Sequence, residues 1–252
     1  MKTGKLDPKK LPALVFKYLG TKTDSVIVGP SVGEDAAVLD FGDKKLIVSS
    51  DPITGAAQEI GFYAININAN DVSVMGAIPK YFLPVILLSE NSSEKALEKI
   101  MRDMDFEAKG LGISIVGGHT EVTPELENIV IVGTMLGITD RIITSSGAEV
   151  GNRIILTKGA GIEGTSILAR DKYNVLKDVI DEETLEDAKD FLKRLSVVKE
   201  ALISKRFATA MHDATEGGVQ GGLHELCDAS HAGFRVDVSK IKVRRETKKI
   251  CE

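Results

Sequence analysis

The sequence predicts an α+β protein of two units, and three observations carry that prediction. Strand-like and helix-like segments mix along the chain without the strict alternation of a doubly wound sheet. The 252 residues favour two domains, divided near Val150-Gly151 into 1–148 and 149–252. The composition, 43% hydrophobic and 27% charged, is that of an ordinary water-soluble globular chain with enough apolar residues to bury a core.

The elements follow in order. Leu11 to Leu19 reads as a short amphipathic helix, with Asp7 and Pro8 as start signals. Gly29 to Gly33 is a loop. Ala36–Leu39 and Lys45–Ser50 read as strands around a Gly42-Asp43 turn. Gln58 to Met75 has helical spacing, with Ile60, Ala64, Ile67 and Val74 on one side and Pro79 as its stop. Tyr81 to Leu88 is a buried strand. Ser93 to Lys109 is an amphipathic helix capped by Ser92 or Ser93 and ending at Gly110. Ile113–Val116 and Ile129–Ile138 are strands. In the second unit, Arg153–Thr157, Thr209–Met211 and Phe234–Val238 read as strands. Gly164–Arg170, Asp181–Lys193, Val197–Lys205 and Thr215–Ala229 read as helices. Arg244 to Cys251 reads as the opening of another helix, and the second unit is expected to be incomplete at its C-terminal end.

Several function classes drop out. The net charge of -5 gives no basic field for nucleic acid. Lysine and arginine cluster near each terminus, in Met1–Lys10 and Lys240–Lys249, and read as solvated faces. Only Cys227 and Cys251 are present, so there is no disulfide framework, which fits a reducing, cytoplasmic setting. Met1–Lys10 is polar and lacks the apolar stretch of a signal peptide. The longest apolar stretch, Tyr81–Leu88, is too short to cross a membrane.

Four segments carry chemistry. Carboxylates stand at strand ends and within a helix: Asp35 in Gly33-Glu34-Asp35-Ala36, Asp51 after Ser49-Ser50, and Asp71 inside an otherwise apolar helix. A buried carboxylate is costly unless paired or metal-bound, and converging carboxylates call for a hard cation such as Mg²⁺. On composition alone, three separate jobs account for them more readily: a turn aspartate, a helix cap and a hydrogen-bonded buried aspartate. Gly117-Gly118-His119-Thr120-Glu121 follows a strand. Its glycines permit a close backbone approach, and His119 is a phosphate donor, a base or a structural hydrogen-bonder. Lys158-Gly159-Ala160-Gly161 is a Gly-rich turn into a helix, able to offer N–H groups to an anion, though it matches neither GxGxxG nor a Walker A loop. Met211-His212-Asp213-Ala214-Thr215-Glu216-Gly217-Gly218 packs an acidic turn against a Gly-rich helix start, where glycines weaken the helix and suggest close packing or a ligand. Thr215 also reads as an N-cap, His224 and His231 as packing residues, and Cys227 as a small apolar core residue.

Together these segments resemble the AIR synthetase-like superfamily, which includes AIR synthetase, thiamine-monophosphate kinase, selenophosphate synthetase and the HypE-type hydrogenase maturation proteins. Gly33–Val38 is similar to its GxDAAV segment, Ser49–Asp51 to its T-T-D strand end, and Asn70–Pro79 to its N-D-[IV]-x-x-M-G-A-x-P signature. Gly117–Thr120 resembles its GG[DEH][TS] loop, and Met211–Gly218 its D-x-T-x-G-G turn.

The resemblance implies two α+β domains: an N-terminal sheet domain that pairs in a homodimer and a C-terminal α+β domain, with ATP near the pairing. It implies Mg²⁺ on Asp35, Asp51, Asp71 and Asp213, and catalytic roles for His119 and Asp71. It places ATP against Gly33, Asp35, Asn70, Gly117, Gly118, Thr120, Lys158, Gly161, Thr215 and Gly217. Such a site transfers a phosphoryl group by positioning and charge neutralisation.

Departures narrow the choice. The loop has His119 where thiamine-monophosphate kinases usually have Asp and AIR synthetases Glu. No cysteine precedes Cys227, unlike in selenophosphate synthetases. Asp213–Gly218 is nearest the D-P-T-[RE]-G-G of HypE-like proteins, whose C-terminal tail ends in an acceptor cysteine that Cys251 does not match. The reading is an ATP-dependent, HypE-like enzyme acting on a carbamoyl or carboxamide-like acceptor, with a maturation partner protein in view. A small-molecule kinase and a non-catalytic nucleotide-binding scaffold are the alternatives.

Overall fold

The computed structural model describes residues 24–54, 56 and 58–252, together with 8–10, 12 and 16. The helix expected over Leu11–Leu19 lies almost wholly outside the described residues. The first unit is a seven-stranded sheet built from β1 (Val26–Val28), β2 (Ala37–Phe41), β3 (Lys44–Ile53), β4 (Ile78–Leu88), β5 (Ser114–Ile115), β6 (His119–Val122) and β7 (Val130–Thr139). Its order is β1-β2-β3-β7-β4-β5, with β6 also paired to β4. Only β4's pairings with β5 and β6 are parallel.

The helices are α1 (Ile60–Val74), α2 (Glu94–Leu111), α3 (Ile162–Asp171), α4 (Tyr173–Leu176), α5 (Glu182–Lys189), α6 (Val198–Ser204), α7 (Gly218–Ala229) and α8 (Arg245–Cys251). The helix α1 ends at Val74, before Gly76, and Pro79 belongs to β4 rather than acting as the helix stop. In α2 the Ser93 hydroxyl caps the first turn by accepting from Ala96 N at 3.2 Å. That helix runs past Gly110 to Leu111, and Gly112 closes it.

The period-2 pattern of β7 decides which face is covered. Ile131, Gly133, Met135, Gly137 and Thr139 are buried, while the residues between them are half-exposed. The buried face carries α1, which is buried on nearly every side because α2 and α6 cover what the sheet does not. Gly133 permits the close approach of α1: a Cβ there would overlap the Asn68 amide and the Phe82 ring. The strands β1 and β6 had no counterpart in the sequence reading. Between β5 and β6 the edge ladder on β4 breaks at Pro84, which has no N–H to donate. The chain crosses there through Gly117-Gly118. Gly118 sits at φ 135, and any Cβ would overlap the Pro84 carbonyl oxygen. The double glycine is thus explained by a close approach to a neighbouring strand.

The second unit is helical. The three strands expected at 153–157, 209–211 and 234–238 do not form. Among the described residues only isolated bridges occur, Thr144 to Ala210 and Ala160 to Val243. Ile154 and Ile155 are 53% and 83% exposed, so this apolar run stays extended without a ladder partner. The two units nevertheless share one core, because Leu192, Leu195 and Val198 belong to the same apolar cluster as Val72, Met75 and Phe82. Asn70 of α1 fastens that junction. Its amide donates to Leu195 O at 3.2 Å and accepts from Val197 N at 2.8 Å.

Candidate functional site

Aspartates from four separate segments meet where the two units join. Asp71 projects from α1 and is 5% exposed. Asp51 lies within β3, on the face toward α1, and the Asn68 side chain pins its backbone on both sides. Asp35 stands in the loop before β2, and Asp213 in the loop leading to α7. Asp71 and Asp213 both feel the charges of Asp35 and Asp51. Burial pushes Asp71 well above the usual carboxylate range, and Asp213, Asp51 and Asp35 push it further. The Ser49 hydroxyl, 2.7 Å from Asp71 Oδ2, opposes that shift. Burial and then Asp35 and Asp51 push Asp213 up to about 7, against the opposing charge of His212. Glu163, in the first turn of α3, is raised by burial and by Asp51, so the Gly-rich turn also borders the cluster.

His212 links the units across this cluster. Its Nδ1 lies 2.7 Å from Asp35 Oδ2 and its Nε2 lies 2.6 Å from Glu225 Oε2 on α7. Burial alone would lower its pKa, but Asp35, Glu225 and Asp213 outweigh burial and raise it to about 9. Gly33 completes the contact, since the 33–35 loop rests against the backbone of Glu225. The ligand atoms of Asp35, His212 and Asp213 all lie within 4.8 Å of one another. Several carboxylates held close with raised proton affinity form a donor set that fits a hard divalent cation, whose charge would relieve their repulsion.

The other residues singled out from the sequence fall in two groups. Gly33, Thr215 and Gly217 flank the cluster in chain order, and Gly217 starts α7. Asn70 is committed to the 195–197 backbone. Lys158 donates to Ser196 O and lies 3.4 Å from Glu200, while Gly161 starts α3 against Thr247. His119, with Gly117, Gly118 and Thr120, lies apart at the edge strand. His119 is 63% exposed and 3.0 Å from Glu121. The register His119–Val85–Val132 puts it on the open face of the sheet. It is three strands from β3, roughly 14 Å in the hydrogen-bonding direction. Within one chain the aspartates converge and His119 stays away from them.

His212, Glu225 and Ser49 are members of the site that sequence reasoning did not select. His212 carried a signal, since it directly precedes Asp213 in the acidic turn. Glu225 carried none, because only the packing of α7 brings it near.

Comparison with known proteins matches both halves. Residues 33–139 match the family model described as AIR synthase related protein, N-terminal domain, and residues 149–251 match AIR synthase related protein, C-terminal domain. A thiamine-monophosphate kinase of Pyrococcus horikoshii is 28% identical over 230 residues, covering 88% of this chain and 71% of that protein. The carbamoyl dehydratase HypE of Rhizobium leguminosarum bv. viciae is 23% identical over 235 residues, covering 87% of this chain and 64% of that protein. The solved structure of AaThiL complexed with AMPPCP and TMP superposes with a TM-score of 0.80 at 20% identity. It covers 99% of this chain and 80% of that one, and the likeness is one of fold.

Proposed function

The chain belongs to the AIR synthase related protein family, and on that premise we propose that it is an ATP-dependent enzyme acting on a carbamoyl or carboxamide-like acceptor. The observation that carries this reading is the gathering of Asp35 and Asp213, from the two units, within 4.8 Å of each other, with Asp51 and Asp71 close enough to act on their charge. Residues 1–148 would supply the first three and residues 149–252 the fourth. These carboxylates would hold Mg²⁺ with the phosphates of ATP, and the cation would neutralise charge on the phosphoryl group as it moves. Asp71, the most buried of the four, would hold that charge balance. Backbone N–H groups at Gly161 and Gly217, where α3 and α7 begin, suit an anion. The acceptor oxygen attacks the γ-phosphorus and the bond to the β-phosphate oxygen breaks, releasing ADP. The acceptor then loses phosphate together with its former oxygen. When an amide nitrogen gives up its protons in that step, the net change is dehydration.

His119 belongs to this reading through a second copy of the chain. The open sheet face, with Val48, Leu83, Val85, Val132 and Leu136 half-exposed, suits pairing into a homodimer that would cover His119. A partner protein that delivers or receives the carbamoyl-type group fits the same scheme. No helix among the described residues is long and apolar enough to cross a membrane. Cys227 and Cys251 are free thiols, which suits a cytoplasmic location.

A second reading, a small-molecule kinase, is favoured by the 28% identity to a thiamine-monophosphate kinase. Products separate the two: a stable phospho-compound with ADP marks the kinase, and free phosphate with a dehydrated product marks the first reading. A non-catalytic scaffold would show slow ATP turnover that Asp71→Asn leaves unchanged. The first test is calorimetry of ATP binding with and without Mg²⁺, in the wild type and in Asp51→Asn and Asp71→Asn. Mg²⁺-dependent binding lost in both variants is expected. A folded wild-type protein that binds no ATP sinks the assignment.

A further inference from the structure

His212 lies outside the oxygen-only ligand set, yet it stands against two of its members, Asp35 and Asp213. Its side chain is 5% exposed and its ring is confined on two sides. Glu225 Oε2 lies 2.6 Å from Nε2, and Gly222 of α7 leaves the ring room, since a Cβ there would stand 3.4 Å from the imidazole Cδ2. The other nitrogen, Nδ1, faces Asp35, and the ligand atoms of Asp35, His212 and Asp213 all lie within 4.8 Å of one another. In metal-bound histidines one nitrogen faces the ion and the other donates its N–H to a carboxylate that fixes the tautomer and the ring direction, and Glu225 stands where that second carboxylate would be.

We propose that His212 is a nitrogen ligand of the divalent cation held by Asp35 and Asp213, oriented by Glu225, so that the site that serves Mg²⁺ in the proposed function binds Mn²⁺ more tightly. The inference rests on the proposed function for the cation's place at Asp35 and Asp213. Without the ion, Nδ1 and Asp35 lie at hydrogen-bond distance, and the two groups would move apart to admit the ion between them. On binding, the proton on Nδ1 passes to solvent and the Nδ1 lone pair turns to the metal. Mg²⁺ prefers oxygen donors alone, whereas an imidazole nitrogen favours the transition metals. A donor set that adds one imidazole to the aspartates therefore discriminates between ions that an all-carboxylate site treats more alike.

The test uses the full 252-residue chain and Mn²⁺ alone, with no nucleotide. Pulsed electron paramagnetic resonance on the bound Mn²⁺ reads directly coordinated ¹⁴N. The wild type is expected to show coupling to one imidazole nitrogen. His212→Asn should lose it and narrow the Mn²⁺ over Mg²⁺ preference about tenfold. Glu225→Gln, which keeps an acceptor beside Nε2, should retain the coupling with Mn²⁺ affinity about tenfold weaker. Bound Mn²⁺ without nitrogen coupling overturns the proposal. So does coupling that survives in a folded His212→Asn variant, or a wild type that takes up no Mn²⁺. Because nucleotide is absent, a failure of ATP binding leaves this result standing. Intact ATP binding likewise does not rescue it if the nitrogen signal is missing.

Discussion

Asp213 and His212 adjoin in the chain but titrate in different windows, and both make the metal-free protein less stable as pH rises. Asp213 has its folded pKa raised from 3.8 to about 7. Its contribution is fully present below pH 3.8 and is lost as pH climbs through about 7. His212 is raised from 6.5 to about 9, so its contribution persists to about pH 6.5 and is lost through pH 9. Denaturant midpoints of metal-free protein are therefore expected to decline more steeply between pH 4 and 7 in the wild type than in Asp213→Asn. Above pH 7.5 the variant should also decline less, because without the Asp213 charge His212 is raised less. Identical profiles across the lower window would mean that Asp213 is not held among its neighbours' charges. At this scale the sequence was only partly legible. Asp35, Asp51, Asp71 and Asp213 could be picked because a carboxylate in an apolar setting needs a reason. His212 could not be ranked above His119, since the ranking depends on which histidine the fold buries between two carboxylates.

At the scale of elements, α1 joins the sheet to the second unit, and Asn70 is its fastening. Removing its amide leaves Leu195 O and Val197 N without their partner at a buried to part-buried junction. An unsatisfied buried backbone group costs about 1–3 kcal/mol. Asn70→Ala is thus expected to destabilise the protein by roughly 2–4 kcal/mol in urea unfolding, short of full additivity because the cavity can admit water. A loss below about 0.5 kcal/mol would show that the 195–197 strap holds without it. The helix itself was legible from the spacing of Ile60, Ala64, Ile67 and Val74, although its burial on the polar side was not. That side faces α6, and nothing local announces so distant a partner. The same limit explains the three strands that do not form. Arg153–Thr157 has the composition of a strand, but a strand exists only with a neighbour to pair, and the neighbour is a property of the whole fold.

For the whole molecule, the sheet has one face closed by α1 and α2 and one face open. The open face is apolar along its centre, where Val132 is in register with Val85 on one side and Pro52 on the other. A patch of this kind on an otherwise charged chain marks an interaction surface, and the homodimer proposed above would bury it. Sedimentation at micromolar concentration is then expected to give twice the 27.1 kDa chain mass. Val132→Lys places a charge in the middle of the interface while its side chain points away from the core. It should yield a folded monomer with an unchanged circular dichroism spectrum. ATP affinity of that monomer separates two arrangements of the site. If it falls about tenfold or more, the open face and His119 take part in binding through the second copy. If it is unchanged, the aspartates of one chain suffice and His119 has no share in holding nucleotide. A wild-type protein that sediments as a monomer would remove the open face from the site altogether. The Mg²⁺-dependent binding test on Asp51→Asn and Asp71→Asn would then speak for a cleft complete within a single chain.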